Sequence, residues 1–195
     1  MKQAIIGLVL GGGASISVAN NTLESPSLRM YAPESDVSWM QYLYAMFGFM
    51  CNQGIIPTES TGNTQSGLAV YSNWLLYTMQ LDALMDLYTL LYSNRVKIIP
   101  TTICSLFTEV TLSFFVMAAG TPHISGLVLN LGKYTAQERQ LFRDMLMSNF
   151  GLATTEQSRG RVYIKAKDKA KLLAIIKPHL HSSRLTLFDK PKSSK

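Results

Sequence analysis

The stretch Ile5-Ile6-Gly7-Leu8-Val9-Leu10-Gly11-Gly12-Gly13 decides how this chain is read. A second stretch of the same grammar, Leu112-Ser113-Phe114-Phe115-Val116-Met117-Ala118-Ala119-Gly120, begins 107 positions later. Each is a short apolar run closed by glycine, the pattern of a buried helix with a glycine stop. In the first, Gly7 and Gly11 recur at i, i+4 on one helix face, so a partner helix can approach closely. The penultimate position is Gly12 in one stretch and Ala119 in the other. Lys2 followed by the apolar run from Ala4 to Ala14 also has the outline of a signal peptide. As a membrane span it is too short and too rich in glycine. Recurrence of the pattern at 112–120, where no signal peptide can stand, favours a buried helix.

Working outward, the chain reads as a tandem repeat of one α+β unit, with a hinge near Asn94 to Thr102. The boundaries expected are residues 1–94 for the first unit, 95–102 for a linker, 103–188 for the second unit and 189–195 for a basic tail. In the first unit, the alternation of Ala14 to Ala19 predicts a strand paired with Leu28 to Tyr31. Asp36 to Phe49 predicts a helix with Ser35 or Asp36 as N-cap. Ile55 to Tyr77 predicts a hairpin turning at Thr61-Gly62-Asn63-Thr64, and Leu81 to Tyr92 an amphipathic helix. In the second unit the order repeats: a motif helix from Glu109 to Ala119 and a strand from Leu127 to Leu131. Next comes a helix from Thr135 to Phe150, opened by a Thr135/Glu138 capping box and stopped at Gly151. A hairpin over 154–164 turning at Arg159-Gly160 and a helix from Asp168 to Leu180 complete the unit.

Composition sets bounds. At 195 residues, 47% apolar and 15% charged, this is a globular chain with a sizeable core. Cys51 and Cys104 have no neighbouring cysteine or histidine to suggest a zinc site, and two cysteines make no disulfide framework. His123, His179 and His181 lack metal-ligand spacing. Gly11-Gly12-Gly13 is not a phosphate loop, because the lysine of that motif is missing. Charge is lopsided: residues 1–94 hold two basic and six acidic residues, residues 95–195 hold 16 basic and six acidic, and Met30 to Asn94 contains no Lys or Arg. A polyanion would be held by the second half and not by the first.

The two motifs resemble the LAGLIDADG motif of homing endonucleases, in which the penultimate residue is a metal-binding aspartate. The resemblance extends to Asp82–Pro100 (DALMDLYTLLYSNRVKIIP), similar to the helix and linker between the halves of intron-encoded members. It includes Gly126–Phe142 (GLVLNLGKYTAQERQLF), similar to their GLILNTQSFTKEE segment, and Lys177–Phe188 (KPHLHSSRLTLF), similar to their closing KPYIHPSMLYK. It implies an α+β LAGLIDADG homing-endonuclease fold, a pseudo-twofold tandem of two αββαββα units with saddle-like antiparallel sheets over DNA. In that family each motif helix delivers one acid to divalent metals at the scissile phosphates, where metal-activated water is the nucleophile. Here the acids are replaced at Gly12 and Ala119, and the family's catalytic glutamine aligns with Gly132. The corresponding first-half position falls near Ala32. Strands between Met30 and Tyr77 carry Tyr31, Tyr71, Trp74 and Tyr77 in place of cations.

The expectation is a catalytically inactive, RNA-binding derivative with no metal or other cofactor, no small-molecule substrate and no membrane partner. It is a structural subunit of a mitochondrial ribosome, contacting rRNA through Lys133, Arg159, Arg161, Lys165, Lys167, Lys177 and Arg184. Protein neighbours would meet the first half. A group I intron maturase is the alternative, and a residual DNA-binding or nicking endonuclease the second alternative. Nothing near the start resembles an Arg-rich transit peptide, so a mitochondrial location implies an organelle-encoded protein of the matrix.

Overall fold

A computed structural model of the chain describes residues 1–18, 25–64, 67–124 and 126–189. Of the expected basic tail at 189–195, residues 190–195 lie outside them. Contacts divide the chain into two compact units, Met1–Gly12 with Thr89–Lys195, and Gly13–Tyr88. This division differs from the sequence repeat at its edges, because the first motif helix joins the second half.

The larger unit is built on the two motif helices. Helix α1 (Lys2–Gly11) is buried from Ala4 to Leu10, and helix α4 (Glu109–Ala119) from Thr111 to Met117. Both are apolar all round, as befits helices enclosed on every side. They touch through small residues. A Cβ on Gly7 would lie 2.4 Å from the Thr111 carbonyl oxygen and 2.8 Å from Phe114 Cβ, and one on Gly11 would lie 2.8 Å from Ala118 Cβ. Gly7 and Phe114 hold the same place in the two motifs, as do Gly11 and Ala118, so equivalent residues meet each other. The polar residues buried in α4 are satisfied: Thr111 Oγ1 donates to the Leu106 carbonyl at 2.9 Å and Ser113 Oγ to the Ile176 carbonyl at 3.5 Å.

Four strands follow α4: β7 (Gly120–His123), β8 (Gly126–Asn130), β9 (Thr154–Gln157) and β10 (Arg161–Lys165), in the antiparallel order β7-β8-β10-β9. Helices α5 (Ala136–Phe150) and α6 (Ala166–Ile176) complete the layer. Helix α5 opens with the expected capping box, in which Thr135 and Glu138 satisfy each other's backbone N–H, and ends at Gly151 with φ 61°. Phe107, Phe115, Phe142 and Phe150 interlock behind it, with Phe115 and Phe142 ring centroids 4.6 Å apart. The predicted helix from Asp168 to Leu180 is α-helical only to Ile176 and tightens into a 3-10 turn at Lys177–His179, where Pro178 cannot continue the ladder.

The smaller unit repeats the plan. Strands β1 (Ala14–Ser17), β2 (Ser27–Pro33), β3 (Ile56–Thr64) and β4 (Gly67–Tyr77) pair antiparallel in the order β1-β2-β4-β3, the same topology as the other sheet. Ala14 pairs with Met30, as the alternation predicts. Helix α2 (Val37–Phe47) buries Trp39, Met40, Leu43 and Phe47 against this sheet. One expectation fails: Thr61 to Thr64 is strand, paired through Thr64↔Gly67. Gly62 sits within the ladder, 3.1 Å from the Tyr71 ring at its missing Cβ, so the glycine accommodates a cross-strand aromatic and not a turn. The predicted helix from Leu81 to Tyr92 is α-helical only as α3 (Met85–Leu91). After α3, a short hairpin of β5 (Tyr92–Ser93) and β6 (Val96–Lys97), with Asn94 and Arg95 at positive φ, straddles the expected start of the linker at residue 95. No helix among the described residues is long and apolar enough to cross a membrane.

Candidate functional site

The tips of the two motif helices open into a cavity of about 490 Å³, lined by Gly11, Ala118, Ala119, Gly120, Thr121, Asn130, Gly132 and Lys133. No lining residue carries a carboxylate. The α1 terminus is finished by cationic and hydroxyl donors. Gly12, at φ 90°, returns its N–H to the Val9 carbonyl. Lys97 Nζ donates to the same carbonyl at 2.7 Å, and the Tyr134 hydroxyl donates to the Leu10 carbonyl at 2.7 Å. A positive group at a helix C-terminus meets the negative end of the helix dipole. The Lys133 ammonium stands 3.0 Å from where a Cβ on Gly12 would be, and 5.2 Å above the Tyr134 ring.

These groups perturb one another. Burial, followed by the nearby Lys133 charge, pulls the Lys97 ammonium down to about 7. Burial likewise lowers Lys133, while its contact with Lys97 works in the opposite direction. Burial raises the Tyr134 phenol, and the Glu138 carboxylate adds to the effect. Sequence reasoning places Lys97 in a linker. Its partner carbonyl is 88 residues away, and no local pattern announces it.

The second sheet presents one face to helices α5 and α6 and leaves the other open. Val162 and Ile164 point inward. Arg161 and Lys165 are exposed and alternate with them, and Arg161 sits opposite Asn130 and Gln157. Tyr163 lies on the same open side in edge contact with His123, centroids 5.0 Å apart. Asn130 and Thr121 belong to this sheet and also line the cavity, so Arg161 and Lys133 flank one continuous surface. Arg159, at φ 63°, forms the tip of the β9–β10 turn. That turn folds back on Gly132: a Cβ there would lie 2.8 Å from the Arg159 carbonyl oxygen, leaving no room for a longer side chain.

Not every expected cation joins this surface. Lys167 lies at the start of α6 and Lys177 just past its end, roughly 15 Å apart along the helix, on the layer behind the sheet. Arg184 is half-buried in the 3-10 segment Ser182–Phe188. Arg139 and Arg143 are held by Glu156, at 2.7 and 3.9 Å.

Comparison with known proteins decides the family. The chain matches the LAGLIDADG DNA endonuclease family over residues 2–172. It belongs to that family. Its fold is similar to the homing endonuclease I-WcaI bound to its DNA recognition sequence, with a TM-score of 0.80 and 18% identity over 96% of this chain and 84% of that one. It is also similar to I-SmaMI bound to an uncleaved DNA target in the presence of calcium ions, with a TM-score of 0.51 and 11% identity over 94% of this chain and 86% of that one. No curated protein sequence matches this chain.

The divalent metals of LAGLIDADG chemistry do not fit the residues present at the helix tips. A hard cation needs several oxygen ligands, some of them anionic. The cavity offers the Thr121 hydroxyl and the Asn130 amide, whose Oδ1 already accepts the Gly132 N–H at 3.1 Å. Lys133 contributes a positive charge beside Gly12. Among the described residues, no group of three or more His, Cys, Asp or Glu side chains is placed to share a metal ion.

The first sheet differs from the second in its open face. The burial alternation of β2 exposes Arg29, Tyr31 and Pro33, and the register sets Tyr77, Leu75 and Asn73 opposite them, with Ile56, Thr58, Ser60 and Tyr71 continuing that face. Trp74 belongs to the other side, across from Ala32 and Pro57, with its indole N–H donating to the Glu34 carbonyl at 2.9 Å. Ala32 is itself buried, so the first-half counterpart of the glutamine offers nothing to the open face.

Proposed function

We propose that this LAGLIDADG protein is a catalytically inactive RNA-binding subunit of a ribonucleoprotein, a mitochondrial ribosome above all, and that it contacts rRNA through its basic unit. The reading rests on one observation: the helix tips carry Gly12 and Ala119, with a lysine ammonium beside the first and no carboxylate in the cavity between them. Without anionic ligands there is nothing to place the metal that activates water and stabilises the leaving oxygen.

Charge supports a nucleic-acid partner on one unit only. The smaller unit holds one basic residue against six acidic ones, a net of −5, and the larger unit carries all the excess cation. A duplex gripped by two sheets needs cations on both, since every phosphate that goes without a cation weakens binding in a salt-dependent way. The open face of the first sheet, with Tyr31 and Tyr71 exposed among Thr, Ser and Asn, suits a protein neighbour.

Sedimentation of the native protein tests the assignment. Co-migration with a ribosomal subunit in mitochondrial extract is expected. A light fraction holding one intron RNA would make the protein a maturase, the reading that the same losses of acid also permit. Site-specific nicking of DNA by the purified protein in Mg²⁺ would refute both.

A further inference from the structure

On the helix side of the first sheet, cover fades along β4. Leu76 is buried, Trp74 is half-buried, and Ser72 and Val70 are exposed. Where the cover ends, a cavity of about 430 Å³ opens between Trp74 and Ser72 of β4, Pro57 and Glu59 of β3, and Glu34 just past β2. Pro57 pairs with Trp74 and Glu59 with Ser72, so these four side chains share one face. The Trp74 indole N–H donates to the Glu34 carbonyl at 2.9 Å, which fixes the ring and ties the Glu34 turn to the strand. Two carboxylates and one aromatic ring thus line a single cavity. No Lys or Arg stands between Met30 and Asn94 to neutralise them, and no salt bridge joins either carboxylate to a described cation.

We propose that this pocket receives an arginine side chain from a protein partner, presented on a segment whose other contacts are apolar. The guanidinium is the cation that suits it. Being planar, it stacks on an indole face while its N–H fork reaches carboxylates at the edges. A lysine ammonium is a strongly hydrated point charge and gains less from the flat ring. Charge complementarity selects the partner: a unit of net −5 attracts a basic protein segment and repels a nucleic-acid backbone. Val70, 60% exposed on the same face, and Val37, 44% exposed three residues after Glu34, offer apolar contacts to the residues that flank the arginine. The pocket lies across the sheet from the open face of Tyr31 and Tyr71. Docking here goes beyond the RNA reading and does not depend on it, since the same partner could sit beside ribosomal or intron RNA.

The test titrates the full chain with a short end-blocked peptide that carries one arginine between valines, and with the same peptide bearing citrulline or lysine at that place. The indole N–H signal of Trp74, assigned by its loss in W74F, is followed by NMR. A saturable shift is expected with arginine, a weaker one with lysine and none with citrulline, while the buried Trp39 signal stays. E34Q/E59Q, changed at two exposed positions, should bind the arginine peptide roughly 5-fold more weakly and keep the wild-type thermal midpoint. No shift with arginine, an equal shift with citrulline, or undiminished affinity in E34Q/E59Q overturns the site. Sedimentation velocity of the free chain addresses the other occupant. A monomer is expected. A dimer that E34Q/E59Q abolishes would seat a second copy of this chain in the pocket and overturn the assignment to a separate partner. RNA affinity should be the same in E34Q/E59Q and the wild type, so loss of this site and loss of the RNA reading are told apart.

Discussion

An aspartate restored at residue 12 would meet two obstacles. The backbone there has φ 90°, a left-handed conformation that favours glycine. Its Cβ would also arrive 3.0 Å from the Lys133 ammonium, so the carboxylate would form an ion pair and not a metal site. G12D/A119D should therefore bind no Mn²⁺ by calorimetry, and uptake of the metal by that double variant would show that Lys133 does not control the site. Lys97 gives a prediction in pH. Its ammonium titrates near 7 in the fold against about 10.5 in the unfolded chain. Between those values the unfolded chain binds one proton more than the native one, so stability rises with pH across that window. K97M should flatten this limb relative to the wild type in denaturant midpoints measured from pH 6 to 10. Glu138 acts at the opposite end of the scale. Burial pushes its carboxyl up, but N–H bonds from Thr135 and Ile99 outweigh that and hold it below the ordinary range. Its contribution is present at neutral pH and fades as the medium is acidified through its lowered pKa.

At the scale of elements, the helix pair is set by the absence of side chains. Any Cβ on Gly7 meets the Thr111 carbonyl, Phe114 Cβ and the Phe115 nitrogen, none of which can swing aside. Gly7→Leu should cost ~3 kcal/mol or prevent folding, whereas Gly54→Ala, with nothing within 4 Å, should be close to neutral in the same unfolding measurement. Thr135→Ala removes the cap of α5 and should cost ~1 kcal/mol by denaturant midpoint. The contrast between these elements explains what the sequence could say. The capping box, the Gly151 stop and the glycine face of α1 are written within a few residues of where they act. The strand at Thr61 to Thr64 has the composition of a turn, and only its ladder to Gly67–Val70 makes it a strand. Lys97 is illegible for the same reason: its role depends on Val9 and Lys133, both far away in sequence. The face that Trp74 takes is equally hidden, because it follows from register with Ala32 and Pro57, which alternation alone leaves open.

At the scale of the whole molecule, the two halves keep one strand order and have diverged in charge. Of the seven cations expected to meet RNA, Arg159 and Arg161 sit at and beside the β9–β10 turn, with Lys165 at the far end of β10 and Lys133 at the cavity. Lys167 and Lys177 lie on the helix layer, so their removal should weaken RNA binding less. Neutralising Arg159 and Arg161 together should reduce the salt dependence of RNA affinity by a slope of roughly 1 to 2, read from binding isotherms at several salt concentrations. Undiminished affinity at moderate salt would remove the hairpin from the interface. The central claim, that this LAGLIDADG scaffold holds nucleic acid and does not cut it, is tested most directly by one gel-shift experiment. RNA that copurifies with the protein is incubated with it in EDTA and in Mg²⁺, and both bound fraction and strand scission are scored. Equal binding in the two buffers with every strand intact is predicted; binding that requires Mg²⁺ and yields a defined cleavage product would contradict the account.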